Sequence, residues 1–144
     1  MPAPTKVDLR SPFYALPLTA PSFSVSSAGE IQDGPGRFLA AKNEVVTWVV
    51  TNKGQQPITV GILTFLRKKH LFDAHGDNQD PVDDYFDWPV NNPVTVGGGQ
   101  IGYLYARITK KPKHALGDHL SYTIRVAGQS FGTIDYDPDG DIKP

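Results

Sequence analysis

"EVVTWVVTNKGQQPITVGILTFL", residues 44–66, decides the fold class. In its first part Val46, Trp48 and Val50 alternate with Val45, Thr47 and Val49. A period of two built from β-branched and aromatic residues is the mark of a half-buried strand. "NKGQQP" has turn chemistry, and "ITVGILTFL" (58–66) then begins a partner strand. The same alternation recurs outward in both directions. "SFSVS" (22–26) alternates around Phe23 and Val25, and "QIGYLYARIT" (100–109) sets Ile101, Tyr103 and Tyr105 against Gly102, Leu104, Ala106 and Ile108. "HLSYTIRVAG" (119–128) puts Leu120, Tyr122, Ile124 and Val126 on one face, with Phe131, Ile134 and Tyr136 of "SFGTIDYD" (130–137) near it. No stretch carries a clean helical stripe. "GRFLAAKNE" (36–44) holds one helical turn, or a short strand and a turn. Several strands separated by Gly, Pro and Asn turns predict an all-β sandwich or barrel.

The totals agree with one soluble domain. The chain has 144 residues, of which 39% are hydrophobic and 20% charged. Its 14 Gly and 13 Pro are scattered, so they punctuate turns. A formal net charge of −1 gives no global attraction to nucleic acid or to an anionic membrane, and neither is expected as a partner. The absence of cysteine removes disulfides, thiolate nucleophiles, Cys-containing zinc sites and the blue-copper ligand set. It leaves the compartment open. "MPAPTKVDLRSPF" lacks the apolar core of a signal peptide, and no apolar run approaches the ~20 residues that span a bilayer. Residues 1–20, with Pro2, Pro4, Pro12 and Pro17, read as an extended arm before a single domain over 21–144. The arm's Phe13, Tyr14, Leu16 and Leu18 call for a surface to pack on, in the same domain or a neighbour.

"DHLSYTI" (118–124) resembles the strand-F pattern of immunoglobulin-like domains, in which an Asp stands four residues before a tyrosine-corner Tyr. The resemblance makes Tyr122 that tyrosine and puts Ile124 at the second Cys position. "NEVVTWVVTNKGQQPITV" (43–60) is similar to the B–C hairpin of bacterial immunoglobulin-like modules. The likeness covers about residues 20–137 and implies an antiparallel immunoglobulin-like β-sandwich, here with a Pro-rich N-terminal arm.

Two acidic stretches are candidate sites. In "IDYDPDGDIKP" (134–144), Asp135, Asp137, Asp139 and Gly140 match the first ligand positions and the glycine of an EF-hand-type loop. The bidentate twelfth ligand would fall at residue 146, past the last residue given, so calcium at Asp135, Asp137 and Asp139 would need carboxylates from elsewhere. The simpler reading is a strand followed by an Asp137-Pro138-Asp139-Gly140 turn, with Ile134 and Tyr136 facing the core. "FDAHGDNQDPVDDYFDWP" (72–89) carries six aspartates, three aromatics after residue 84 and no Lys or Arg. Carboxylates beside aromatic rings suit a sugar site, which would use Asp83, Asp84, Tyr85, Asp87 and Trp88; paired acids also suit glycoside chemistry. The plainer reading is a long loop whose rings plug the core while its acids stay wet.

Other patterns carry less. "GQSFG" (128–132) matches a nucleophile elbow, but a strand rather than a helix follows and no histidine lies beyond His119; a hairpin tip, with Gly128 in an unusual φ, is the better reading. His70, His75, His114 and His119 lack zinc-ligand spacing. "RKKH" (67–70) and "KKPKH" (110–114) read as solvated loop ends. Counting antiparallel strand directions, with 82–96 taken as one strand rising between 58–66 and 100–109, brings Arg67, Lys68, Lys69, Lys110, Lys111 and Lys113 to one pole with Asp137, Asp139 and Asp141. The expectation is a non-catalytic structural or protein-interaction module that partners another protein or a second copy of itself, with a sugar-binding domain as the alternative.

Overall fold

A computed structural model describes residues 20–68, 79–88 and 92–144. Residues 1–19 of the arm expected over 1–20, Lys69, His70, His75 and the aspartates Asp73 and Asp77 lie outside these residues. Among the described residues twelve strands occur in chain order: β1 Ser22–Val25, β2 Ile31–Gln32, β3 Phe38–Ala40, β4 Val45–Asn52, β5 Ile58–Lys68, β6 Gln79–Pro81, β7 Phe86–Asp87, β8 Val94–Val96, β9 Ile101–Ile108, β10 Asp118–Gly128, β11 Gly132–Tyr136 and β12 Asp139–Ile142. One 3₁₀ turn, Asp83–Tyr85, precedes β7. They form two sheets. The first runs β2-β1-β4-β9-β7, the second β3-β12-β10-β5-β6, with β11 added to β10 and β8 to β5. Neighbours are antiparallel except β1 beside β4 and β12 beside β3. This is an all-β immunoglobulin-like sandwich.

The alternation read from the sequence selects the core. Val46, Trp48 and Val50 of β4, Leu104, Ala106 and Ile108 of β9, and Leu120, Tyr122, Ile124 and Val126 of β10 are all buried. Trp48 and Tyr122 meet between the sheets, and the indole Nε1 donates to the Tyr122 hydroxyl at 2.9 Å. That bond satisfies a donor that burial would otherwise leave orphaned. Phe38 stands edge-on to Trp48, and Phe65 stacks on Phe86 and Tyr122.

Four readings are corrected. First, β4 and β5 are not a hairpin: they lie in opposite sheets, and β4 pairs β1 and β9. The crossing between them is held by Asn52, fully buried, whose Nδ2 donates to the Gln56 and Val96 carbonyls while its Oδ1 accepts from Gly54 N. Second, residues 82–96, counted as one rising strand, break into short pieces because the chain changes sheets: β6 and β8 pair β5, whereas β7 pairs β9. Third, Tyr122 is no corner tyrosine; its hydroxyl is spent on Trp48 inside the core. Fourth, Asp137–Gly140 does not end the fold as a turn. β11 pairs one half of β10, the chain steps aside at Pro138, and β12 pairs the other half while running parallel to β3. Ile142 is fully buried there, whereas Tyr136 is 41% exposed and Ile134 only half-buried. Residues 36–44 resolve as the short strand β3 followed by a turn.

Candidate functional site

The charged pole begins with one extra residue in β5. Ser121 faces Leu66 and Thr123 faces Leu63, so β5 spends two residues, Thr64 and Phe65, against Tyr122. Thr64 takes φ 58°, a left-handed conformation that a β-branched residue adopts only at a cost. This bulge exchanges the faces of everything after it. Ile58, Val60 and Ile62 point inward before it, Phe65 and Arg67 after it. Lys68 is thereby turned out, and its Nζ reaches Asp139 at 2.8 Å.

Arg67, 8% exposed, comes within 4.0 Å of Asp118, which is 1% exposed. Asp118 also accepts from the Tyr85 hydroxyl (3.1 Å) and from the backbone N–H groups of Lys113 (2.8 Å) and His114 (3.0 Å). One carboxylate thus ties β5, the 3₁₀ turn and the loop before β10. Burial pushes the Tyr85 phenol above its usual range, and the Asp118 charge beside it adds to the shift.

The acidic–aromatic stretch is distributed over this pole. Asp83 caps β5, accepting from Phe65 N at 2.6 Å. Asp84 pairs with Lys110, and Asp87 lies 3.5 Å from Arg107. Tyr85 is 2% exposed, and Trp88, half-buried, stacks on Trp48 with ring centroids 5.6 Å apart. The rings therefore face the core, and the three acids point to separate partners.

The C-terminal aspartates are likewise engaged one by one. Arg125 holds Asp135 with two bonds of 2.8 and 2.9 Å, and Thr123 donates to Asp137 at 2.8 Å. Asp139 takes Lys68 and, at 3.3 Å, Arg37. Arg37 also grips Asp141 at 2.8 and 3.0 Å, with His119 Nδ1 2.5 Å from the same carboxylate. Burial raises the Asp141 pKa, but the hydrogen bonds from Arg37 and His119 and their charges outweigh it and hold the group below the ordinary carboxylate range. Among the described residues no three His, Asp or Glu side chains form a cluster able to hold a metal ion. The counted strand directions do bring basic and acidic residues to one pole, as the Lys68–Asp139 and Lys110–Asp84 pairs show. Sequence reading missed Arg37, which sits 102 residues from Asp139 in the chain.

The sheet edges differ sharply. Between β8 and β6, the outer edge of β5 is plugged by side chains: Asn92 exchanges two bonds with the Ile62 backbone (2.9 and 2.7 Å), and Asp83 takes Phe65 N. β2, β6, β7 and β8 are two or three residues long. β11 is five residues long and largely exposed, and among the described residues its one ladder partner is β10. It contains neither Lys nor Pro, and the charge of Asp135 is compensated by Arg125. Native edges are usually blunted by such residues or by shortness, and β11 is not. The "GQSFG" stretch is the tip of the β10–β11 hairpin, where Gly128 faces Gly132; the positive φ (81°) belongs to Gly132 and not to Gly128. Beside this tip, loops 26–27, 53–57 and 128–131 enclose an open cleft of about 450 Å³.

No family model matches the chain, and no curated protein is detectably similar in sequence. Solved structures are similar in fold. The CupB2 chaperone of Pseudomonas aeruginosa superposes with a TM-score of 0.56 at 14% identity, over 77% of this chain and 54% of that one. The CsuC–CsuE chaperone–tip adhesion subunit pre-assembly complex of Acinetobacter baumannii superposes at 0.50 with 13% identity, over 87% of this chain and 53% of that one. This chain thus spans about half the length of these two structures. Identity this low speaks for the shared sandwich alone.

Proposed function

We propose that this domain is a non-catalytic protein-interaction module that receives a partner's extended segment along β11. The observation that carries the reading is the five-residue, uncapped edge of β11 in a fold whose other β5-side edge is closed by Asn92 and Asp83. An open edge offers a row of backbone donors and acceptors, so a strand adds there through main-chain bonds, and side chains such as Ile134 and the exposed Tyr136 give it selectivity. Two fold relatives being chaperones, one of them in complex with an adhesion subunit, supports a protein partner. The charged pole steers the approach without supplying much affinity, since exposed ion pairs contribute about 0–1 kcal/mol each.

A photo-crosslinking residue in place of Thr133 tests this in the protein's natural setting. It should capture one protein, and a second substitution, Ile134→Pro, should abolish the capture. Equal capture from a crosslinker at Lys111, or none from Thr133, counts against the reading.

A further inference from the structure

We propose that the cleft between loops 26–27, 53–57 and 128–131 binds a neutral saccharide. The inference stands apart from the β11 reading. It concerns the end of the sandwich where β5 begins and β10 ends, opposite the charged pole.

Each wall of the cleft is tied down. Residues 53–57, "KGQQP", would be a loose loop by composition. The buried Asn52 side chain fixes it from below, through Gly54 N and the Gln56 carbonyl. From the sides, Lys53 N donates to Val25 O at 2.8 Å, and Gly99 N donates to Gly54 O at 3.0 Å. Gly98 lies so close that a Cβ on it would stand 2.2 Å from the Gln55 carbonyl oxygen. Loop 26–27 is held by the Ser26 hydroxyl, which accepts from Ala28 N at 3.2 Å and Glu30 N at 3.1 Å. The third wall is anchored by Phe131. A Cβ on Gly29 would come within 2.5 Å of its ring, and one on Gly128 within 2.6 Å. The ring is thus packed on the β1–β2 turn of the first sheet and on β10 of the second. Walls held in this way keep the cleft of about 450 Å³ open. A ligand entering a preformed site spends little on ordering it.

The lining selects the ligand. It has no carboxylate, and its one ammonium, Lys53, lies 3.3 Å from Asp33. There remain the carboxamides of Gln55, Gln56 and Gln129 and the hydroxyls of Ser27 and Ser130. Each carboxamide has two donors and an acceptor, and each hydroxyl both donates and accepts. An anion would have to take Lys53 from Asp33, and a cation finds no opposite charge. An apolar ligand would leave the amides and hydroxyls dry and unpaired. Sugar hydroxyls donate and accept alike, so they complement every one of these groups. The half-buried Phe131 supplies an apolar surface for the C–H face of the sugar ring.

Two-dimensional ¹⁵N–¹H NMR of the full chain tests the proposal with lactose, maltose and N,N′-diacetylchitobiose as ligands. At least one should shift the side-chain amide signals of Gln55, Gln56 and Gln129 saturably. Gln129→Ala, an exposed change at a hairpin tip, should raise that Kd about tenfold with Tm unchanged. N-acetyl-triglycine amide, a neutral peptide, should bind about tenfold more weakly than the sugar. No shift with any of the three sugars overturns the proposal. So do shifts centred on Asp84, Asp87 and Trp88, an unaltered Kd in Gln129→Ala, or a peptide that binds as tightly as the sugar. None of these results bears on capture at Thr133.

Discussion

Gly140→Ala separates two accounts of the C-terminal aspartates. If Gly140 only closes a solvent-exposed turn, the alanine should be nearly harmless: Gly140 does not have a positive φ, so the change would even stabilise by about 0.4–1 kcal/mol through the unfolded chain. The sandwich demands otherwise. Gly140 lies in β12 opposite Phe38 of β3, and a Cβ there would stand 2.0 Å from a ring carbon of Phe38. Ordinary contact is about 3.5–4.0 Å, so the ring would have to retreat by more than an ångström. It has nowhere to go, being fully buried against Trp48, Phe86 and Tyr122. Overpacking of this kind costs about 1–3 kcal/mol, and the closeness of the clash puts it at the upper end. Less the backbone gain, the net loss is about 2 kcal/mol. At ~2.1 cal/mol/K per residue of unfolding entropy, a chain of 144 residues then melts about 7 °C lower. Thermal and urea denaturation followed by circular dichroism would measure it, and Phe38→Leu should recover part of the loss in the double variant. Calcium or a chelator should leave the difference unchanged. An unaltered or raised Tm for Gly140→Ala would refute the packing argument.

Three further outcomes are expected. Asp118→Ala strands the buried Tyr85 hydroxyl and two backbone N–H groups, so urea titration should show a loss of about 3 kcal/mol. Thr64→Gly, a change that weakens most strands, should instead raise Tm, because relief of a left-handed β-branched residue is worth about 1 kcal/mol. Asp141 titrates below its unfolded value of 3.8, so its stabilisation is present above that pH and is lost as the pH falls through the folded value. Arg37→Gln should therefore flatten the acid side of a stability–pH curve below about pH 4 and leave its shape near neutrality unchanged.

The two layers were legible before any coordinate was known. Alternation in 45–52, 101–108 and 118–128 needs only the two-residue period of a strand, a local property, and it selected Trp48, Leu104, Tyr122 and Ile124 for the core. Counting strand directions also brought Lys68 to Asp139. Features that depend on partners far along the chain emerged from the packed fold. The bulge at Thr64 is set by how β5 fits β10, and no residue of "ILTFL" announces that its faces will exchange. Asp118, Tyr85 and Arg67 converge because three separated segments pack at one end of the sandwich. β11 was visible as a strand, but its exposure follows from β12 stepping aside to take the other half of β10. Side-chain alternation is written residue by residue, whereas pairing, register and edges are settled by long-range contacts that no short stretch contains.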